Sequence, residues 1–263
     1  MARLLRVACW AAVALAAVSA EAAAGPAAGR PVLNVLFVGN SIGTYWKAPA
    51  WIGEIAQSLP GGPTLKVEVS DAGAVENLNA HLSRTYGSKG LVDIRRGGWN
   101  LVVLQENPYE PLQQRERFSS AVSTLVGEAR KTGAEVVLFE PFALAAGSVV
   151  YSSEGDWSGG SPSSMQSHLR QACDLVAGKL SLRQARVGDA FGWVAGHHPE
   201  IPLYENDKIH PSPCGAFLAA CVIARLLTGG DPRDSTWLPP MGVTAAQARS
   251  LRAASCEFEK QAR

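Results

Sequence analysis

The 263-residue chain has almost no charge imbalance: 24 Lys and Arg stand against 23 Asp and Glu. With no lysine-rich run or basic stripe, it lacks the electrostatic footprint of a nucleic-acid or anionic-lipid binder. The five histidines are scattered, and no group of Cys, His and carboxylates has metal-ligand spacing. No metal and no cofactor is assigned. A long hydrophobic run is also missing, because the apolar stretch from Val7 to Val18 is about a dozen residues against the ~20 that span a bilayer.

That stretch follows a basic start, Arg3 and Arg6, and precedes small residues, with Val18-Ser19-Ala20 and Ala22-Ala23-Ala24 as cleavage tripeptides. Residues 1–24 therefore read as a secretory signal peptide. Residues 25–31, rich in Gly, Ala and Pro, read as a short mobile lead-in, and residues 32–263 as one domain. Cleavage after Ala24 removes two basic side chains and one acidic one, bringing the formal charge to zero. A secreted or periplasmic protein with no stable membrane insertion is expected.

Cysteine is sparse. Cys9 leaves with the signal, and Cys173, Cys214, Cys221 and Cys256 remain. Four cysteines in an oxidising compartment could form two bridges. Cys214 and Cys221, seven residues apart on one predicted helix, lie about 10 Å apart along its axis, too far to bond each other. Bridges would join that helix to those carrying Cys173 and Cys256; buried free thiols are the alternative.

Short apolar runs rich in β-branched residues predict strands over 32–38, 65–69, 101–104 and 135–139, with a weaker fifth at Ala185-Arg186-Val187. Helices are predicted over 48–59, 115–132, 164–180, 214–228 and 244–261. Strands alternating with helices imply βαβ units, hence an α/β chain folded as a three-layer α/β/α sandwich around about five mainly parallel strands. Ligands in such sheets gather beyond the carboxyl ends of the strands, where strand order reverses. Polar residues fall there: Asn40 and Ser41 after the first run, Asp71 and Gly73 after the second, Gln105, Glu106 and Asn107 after the third, Glu140 after the fourth, and Asp207 with His210 in the loop after the fifth.

Two of these groups carry a specific chemistry. A serine hydroxyl is a poor nucleophile unless an imidazole takes its proton, and a carboxylate fixes that imidazole's tautomer. Ser41, His210 and Asp207 supply the three groups. The remaining histidines, His81 and His168 singly in helical stretches and His197-His198 before Pro199, read as surface, packing or helix-end residues.

Gly39-Asn40-Ser41 and Asp207-Lys208-Ile209-His210 resemble the first and last blocks of the SGNH hydrolase superfamily, also called GDSL-type lipases and esterases. Asp71-Ala72-Gly73 is similar to the second block. The third block departs: Leu104-Gln105-Glu106-Asn107-Pro108 stands where typical members carry Gly-x-Asn-Asp. The resemblance implies a flavodoxin-like fold and an ester hydrolase with Ser41 as nucleophile, His210 as base and Asp207 orienting it. The implied oxyanion donors are the backbone N–H groups of Ser41 and Gly73 and a side-chain amide from Gln105 or Asn107. Asn40, Tyr45, Tyr109 and Trp157 are expected at the substrate, Trp157 from a Gly- and Ser-rich insertion over 147–163; Trp157, Tyr45, Trp46 or Tyr109 could stack on a sugar ring. The expected substrate is a small-molecule or glycan ester, with carbohydrate O-deacetylation favoured. O-acetyl transfer on the same serine, or silent glycan binding on an esterase fold, are the alternatives.

Overall fold

The computed structural model describes residues 30–71, 77–83, 89–152 and 156–261. The signal read at 1–24, and all but the last two residues of the lead-in, lie outside them. Five strands, β1 (Val32–Gly39), β2 (Thr64–Asp71), β3 (Leu101–Gln105), β4 (Glu135–Phe139) and β5 (Arg183–Ala185), form one parallel sheet in the order β2-β1-β3-β4-β5. From β1 the chain first moves to one side and then returns to the other, so strand order reverses between β1 and β3. That gap is the expected ligand crevice.

Successive strand residues point to opposite faces, and each face has its own core. Val35, Phe37, Val103, Val137 and Phe139 pack against α2 (Ala48–Ser58), α8 (Val187–His197), α9 (Pro213–Thr228) and α10 (Ala245–Gln261). Leu36, Val38, Val102, Leu104, Val136 and Leu138 pack against α3 (Leu78–Ser83), α4 (Gly90–Arg96), α6 (Arg115–Lys131) and α7 (Pro162–Leu180). The near-continuous apolar runs of β3 and β4 follow from burial on both sides. Single-turn helices α1 (Ser41–Thr44) and α5 (Glu110–Gln113) follow β1 and β3 on the carboxyl rim.

Two expectations need correction, and one left open is decided. The fifth strand lies two residues earlier than read, and Val187 instead opens α8, which the sequence reading lacked. Asp207 and His210 consequently follow α8 rather than β5 directly. Cys173, Cys214, Cys221 and Cys256 are all free and buried, the alternative to bridging. Burial pushes the Cys221 thiol well above its ordinary range, which leaves it unreactive. Among the described residues no helix is long and apolar enough to cross a membrane.

Candidate active site

Gly39 ends β1 and Asn40 caps the one-turn helix that starts at Ser41, its Oδ1 accepting the N–H of Ile42 at 3.0 Å. This turn delivers the Ser41 hydroxyl to the rim. From the other direction come residues 204–211, a reverse turn closed by a Tyr204–Pro211 bridge and by the Glu205 N–H on the His210 carbonyl at 2.9 Å. Within it, Asp207 Oδ1 accepts the backbone N–H groups of Ile209 and His210, both at 2.9 Å. That turn explains the three-residue spacing: with one oxygen holding the backbone, the other lies 2.6 Å from His210 Nδ1.

His210 Nε2 then sits 2.9 Å from Ser41 Oγ. With Nδ1–H donated to Asp207, Nε2 carries a lone pair toward the serine, the tautomer a general base needs. Burial alone would raise the Asp207 carboxyl, but hydrogen bonds from His210 and the two backbone N–H groups outweigh it and hold the group below its usual range. The carboxylate stays charged beside the imidazole.

Aromatic residues frame this series. Tyr45 stacks on the His210 ring, centroids 4.7 Å apart at 22°, so one face of the expected substrate contact is covered by the base. Trp46, 42% exposed, donates Nε1–H to Glu205 at 3.0 Å and ties the serine side to the histidine loop. Trp46 and Lys47 both take left-handed backbone, φ 56° and 59°, a strained conformation for side-chain-bearing residues. Tyr109 and Trp157 pack together at 5.7 Å, in a cluster that also holds Ile209, and so lie beside the acid end of the series. Burial, then the charge of Asp207, raises the Tyr109 hydroxyl.

Two expectations about the rim fail on geometry. Asn40, expected at the substrate, is only 3% exposed, and its Oδ1 faces Ile42 and Gln105. Gln105 cannot serve as an oxyanion donor because it is fully buried and both amide hydrogens are engaged: Nε2 donates to Asn40 Oδ1 at 3.1 Å and to the Glu106 carbonyl at 2.8 Å. Asn107 is half-buried, and its Oδ1 accepts the N–H groups of Tyr109 and Glu110, which makes Nδ2 its donor. Gly73 lies outside the described residues.

His81 is expected from the sequence only as a surface or packing residue. It is fully buried beneath the serine turn, with Nε2 3.0 Å from the Gly39 carbonyl and Nδ1 accepting the Gly90 N–H at 3.2 Å. Nothing in a lone helical histidine announces that placement. His197, read as a helix-end residue, closes α8 with Nδ1 2.8 Å from the Trp193 carbonyl.

Glu106, also buried, joins two rim loops: its oxygens accept the N–H of Leu78 at 3.0 Å and of Asn107 at 2.8 Å. Burial pushes its carboxyl up to about 8, against the pull of those two N–H groups. An acid so raised favours the folded state while neutral. Its contribution is whole below the unfolded value of 4.5 and is lost as pH climbs through about 8. The melting temperature of the wild type minus that of Glu106→Gln should therefore shrink from pH 5 to pH 9; calorimetry showing a constant difference contradicts this.

A parallel α/β/α sheet with serine, imidazole and carboxylate in series at its reversal point defines a rim-site hydrolase fold. No protein-family model and no curated protein matches the sequence. Solved structures do. A protein of Slackia heliotrinireducens described as a candidate SGNH hydrolase is similar with TM-score 0.63 and 26% identity over 74% of this chain and 99% of that one. A DUF4886 family protein of Bacteroides uniformis aligns at 0.68 with 13% identity, covering 85% and 93%. An acetylxylan esterase of Geobacillus stearothermophilus aligns at 0.53 with 12% identity, covering 75% and 93%. The chain belongs to the SGNH hydrolase superfamily.

Proposed function

We propose that this protein is an exported serine esterase that cleaves O-acyl groups, acetyl foremost, from carbohydrate. The observation that carries the reading is the unbroken series Ser41 Oγ, His210 and Asp207 at 2.9 and 2.6 Å. His210 Nε2 takes the hydroxyl proton as Ser41 attacks the ester carbonyl, and Asp207 stabilises the imidazolium that forms. Collapse of the tetrahedral intermediate breaks the bond to the alcohol oxygen, which receives the proton from His210. The same base then activates water to release the acid and free Ser41.

Charge on the oxyanion needs preorganised donors. Engagement of both Gln105 amide hydrogens favours Asn107 Nδ2 for the side-chain role beside the backbone N–H groups of Ser41 and Gly73. Asn107→Asp keeps an oxygen for the Tyr109 and Glu110 N–H groups but removes the donor. It should lower kcat by about 10²–10³-fold with the melting temperature little changed; activity within threefold of wild type would exclude Asn107.

The exposed aromatics Tyr45 and Trp46, the charge-balanced chain and the likeness to an acetylxylan esterase support a glycan ester over a charged or nucleic-acid substrate. The N-terminal pattern of residues 1–24 supports export. Incubation with p-nitrophenyl acetate, acetylated oligosaccharides and a serine-reactive phosphonate tests the reading. Free acetate and an adduct on Ser41 are expected. Neither turnover nor adduct sinks it, and acetyl transferred to a sugar acceptor reassigns the reaction to acyl transfer.

A further inference from the structure

We propose that Gln105 is a positioning residue: its carboxamide holds Asn40, and through Asn40 the backbone that aims Ser41 at His210. The proposal rests on the esterase reading above.

The serine turn cannot hold itself. A four-residue helix falls far below the length at which an isolated helix is stable, so the direction of Ser41 depends on what grips its first residues. Gln105 grips them twice. Its Oε1 accepts the Asn40 backbone N–H at 2.9 Å, and its Nε2 donates to Asn40 Oδ1 at 3.1 Å, the same oxygen that caps Ile42. The second Nε2 hydrogen goes to the Glu106 carbonyl, which fixes the amide's orientation, and the residue is wholly buried.

The backbone around the turn is cut to fit this amide. A Cβ at Gly39 would lie 2.3 Å from Gln105 Oε1, and one at Gly43 would lie 2.6 Å from it. Both glycines of Gly39-Asn40-Ser41-Ile42-Gly43 thus make room for the same side chain. Strand register places it there: β1 and β3 pair through Val38 and Leu104, so Gln105 stands one step beyond, beside Gly39. On the other side, His81 meets the Gly39 carbonyl. The turn is held between an amide and an imidazole, neither of which is exposed.

Misplacing a nucleophile by about 1 Å is enough to lose roughly 10² in rate. Gln105→Met, similar in length but without polar atoms, should therefore lose about 100-fold in kcat on p-nitrophenyl acetate with KM within about threefold, and Ser41 phosphonylation should slow in parallel. Because one of the two grips is on the Asn40 side chain, the double variant Asn40→Ala/Gln105→Met should lose clearly less than the product of the two single losses.

Gln105→Glu supplies a signature that packing does not. Its protonated carboxyl offers one acceptor and one donor, enough for the two contacts to Asn40 though not for the third to the Glu106 carbonyl, whereas its carboxylate repels Asn40 Oδ1. The ratio of its kcat to that of the wild type should be highest near pH 5.5 and decline toward pH 9, with Glu106, His81 and His210 present in both proteins and cancelling in the ratio. Full activity in Gln105→Met, multiplicative losses with Asn40→Ala, or a flat ratio for Gln105→Glu would each overturn the proposal while an active wild type preserves the esterase reading. An inert, unlabelled wild type overturns both. If Gln105→Met fails to fold, the Gln105→Glu profile decides.

Discussion

Ser41→Ala should lower kcat on p-nitrophenyl acetate by about 10⁴–10⁶-fold and abolish the phosphonate adduct. Its melting temperature should stay within a few degrees, because the substitution removes only the half-buried hydroxyl that meets His210. A companion, Asp207→Asn, separates charge from position. Asparagine keeps an oxygen for the Ile209 and His210 N–H groups, so the turn survives, but its amide then faces Nδ1. The imidazole is driven to carry its proton on Nε2, where it points at the serine and cannot accept. A loss of about 10²–10⁴ in kcat with little change in KM is expected. Steady-state kinetics on the two variants check this, and more than about 1% residual turnover in Ser41→Ala would show that another group attacks the ester.

The largest stability effect is expected away from the chemistry. Glu140, just past the end of β4, is wholly buried and receives Arg186 Nη1 at 3.0 Å, Gln166 Nε2 at 2.9 Å and the Asp189 N–H at 3.1 Å. Arg186 also reaches Asp174 at 2.6 Å. Burial, then the charge of Asp189, pushes the Glu140 carboxyl upward, and Arg186 opposes both. Arg186→Met leaves that carboxyl without its counter-charge. Breaking a buried pair this way costs about 3–5 kcal/mol, and the partial exposure of Arg186 places the expectation near about 3 kcal/mol. Because Glu140 can escape by taking up a proton, the loss should be smaller at pH 5 than at pH 8. Urea unfolding at the two pH values measures it; equal, small losses would mean that the cluster contributes little.

How far the sequence discloses this molecule depends on how local each signal is. Four of the five strands were readable because β3 and β4, flanked on both faces, each carry four consecutive apolar residues, and β1 and β2 still carry β-branched runs. The short edge strand β5 is Arg-Gln-Ala, whose polar residues give no such pattern. Helix α8 went unread because Gly188, Gly192 and Gly196 lower its intrinsic propensity. Tertiary packing overrides that: a Cβ at Gly188 would meet the Pro141 carbonyl oxygen at 2.4 Å, so close approach to the rim loop demands glycine. Ser41, Asp207 and His210 were visible because the Asp-to-His turn and the serine turn are each written within a few adjacent residues. The division of labour between Gln105 and Asn107 was not, since which partner a strand-end amide meets depends on the neighbouring strand. Burial of Asn40 was hidden for the same reason.

The direction of β1 also governs how the molecule can be displayed. Arg30 precedes the strand's amino end, whereas Ser41 follows its carboxyl end, so the two stand on opposite rims, roughly 25 Å apart at the rise of eight extended residues. A bead or particle coupled ahead of Arg30 holds the enzyme by its back and leaves the working rim open. Coupling through Lys47 or Lys208 attaches the support to the two loops that carry Ser41 and His210.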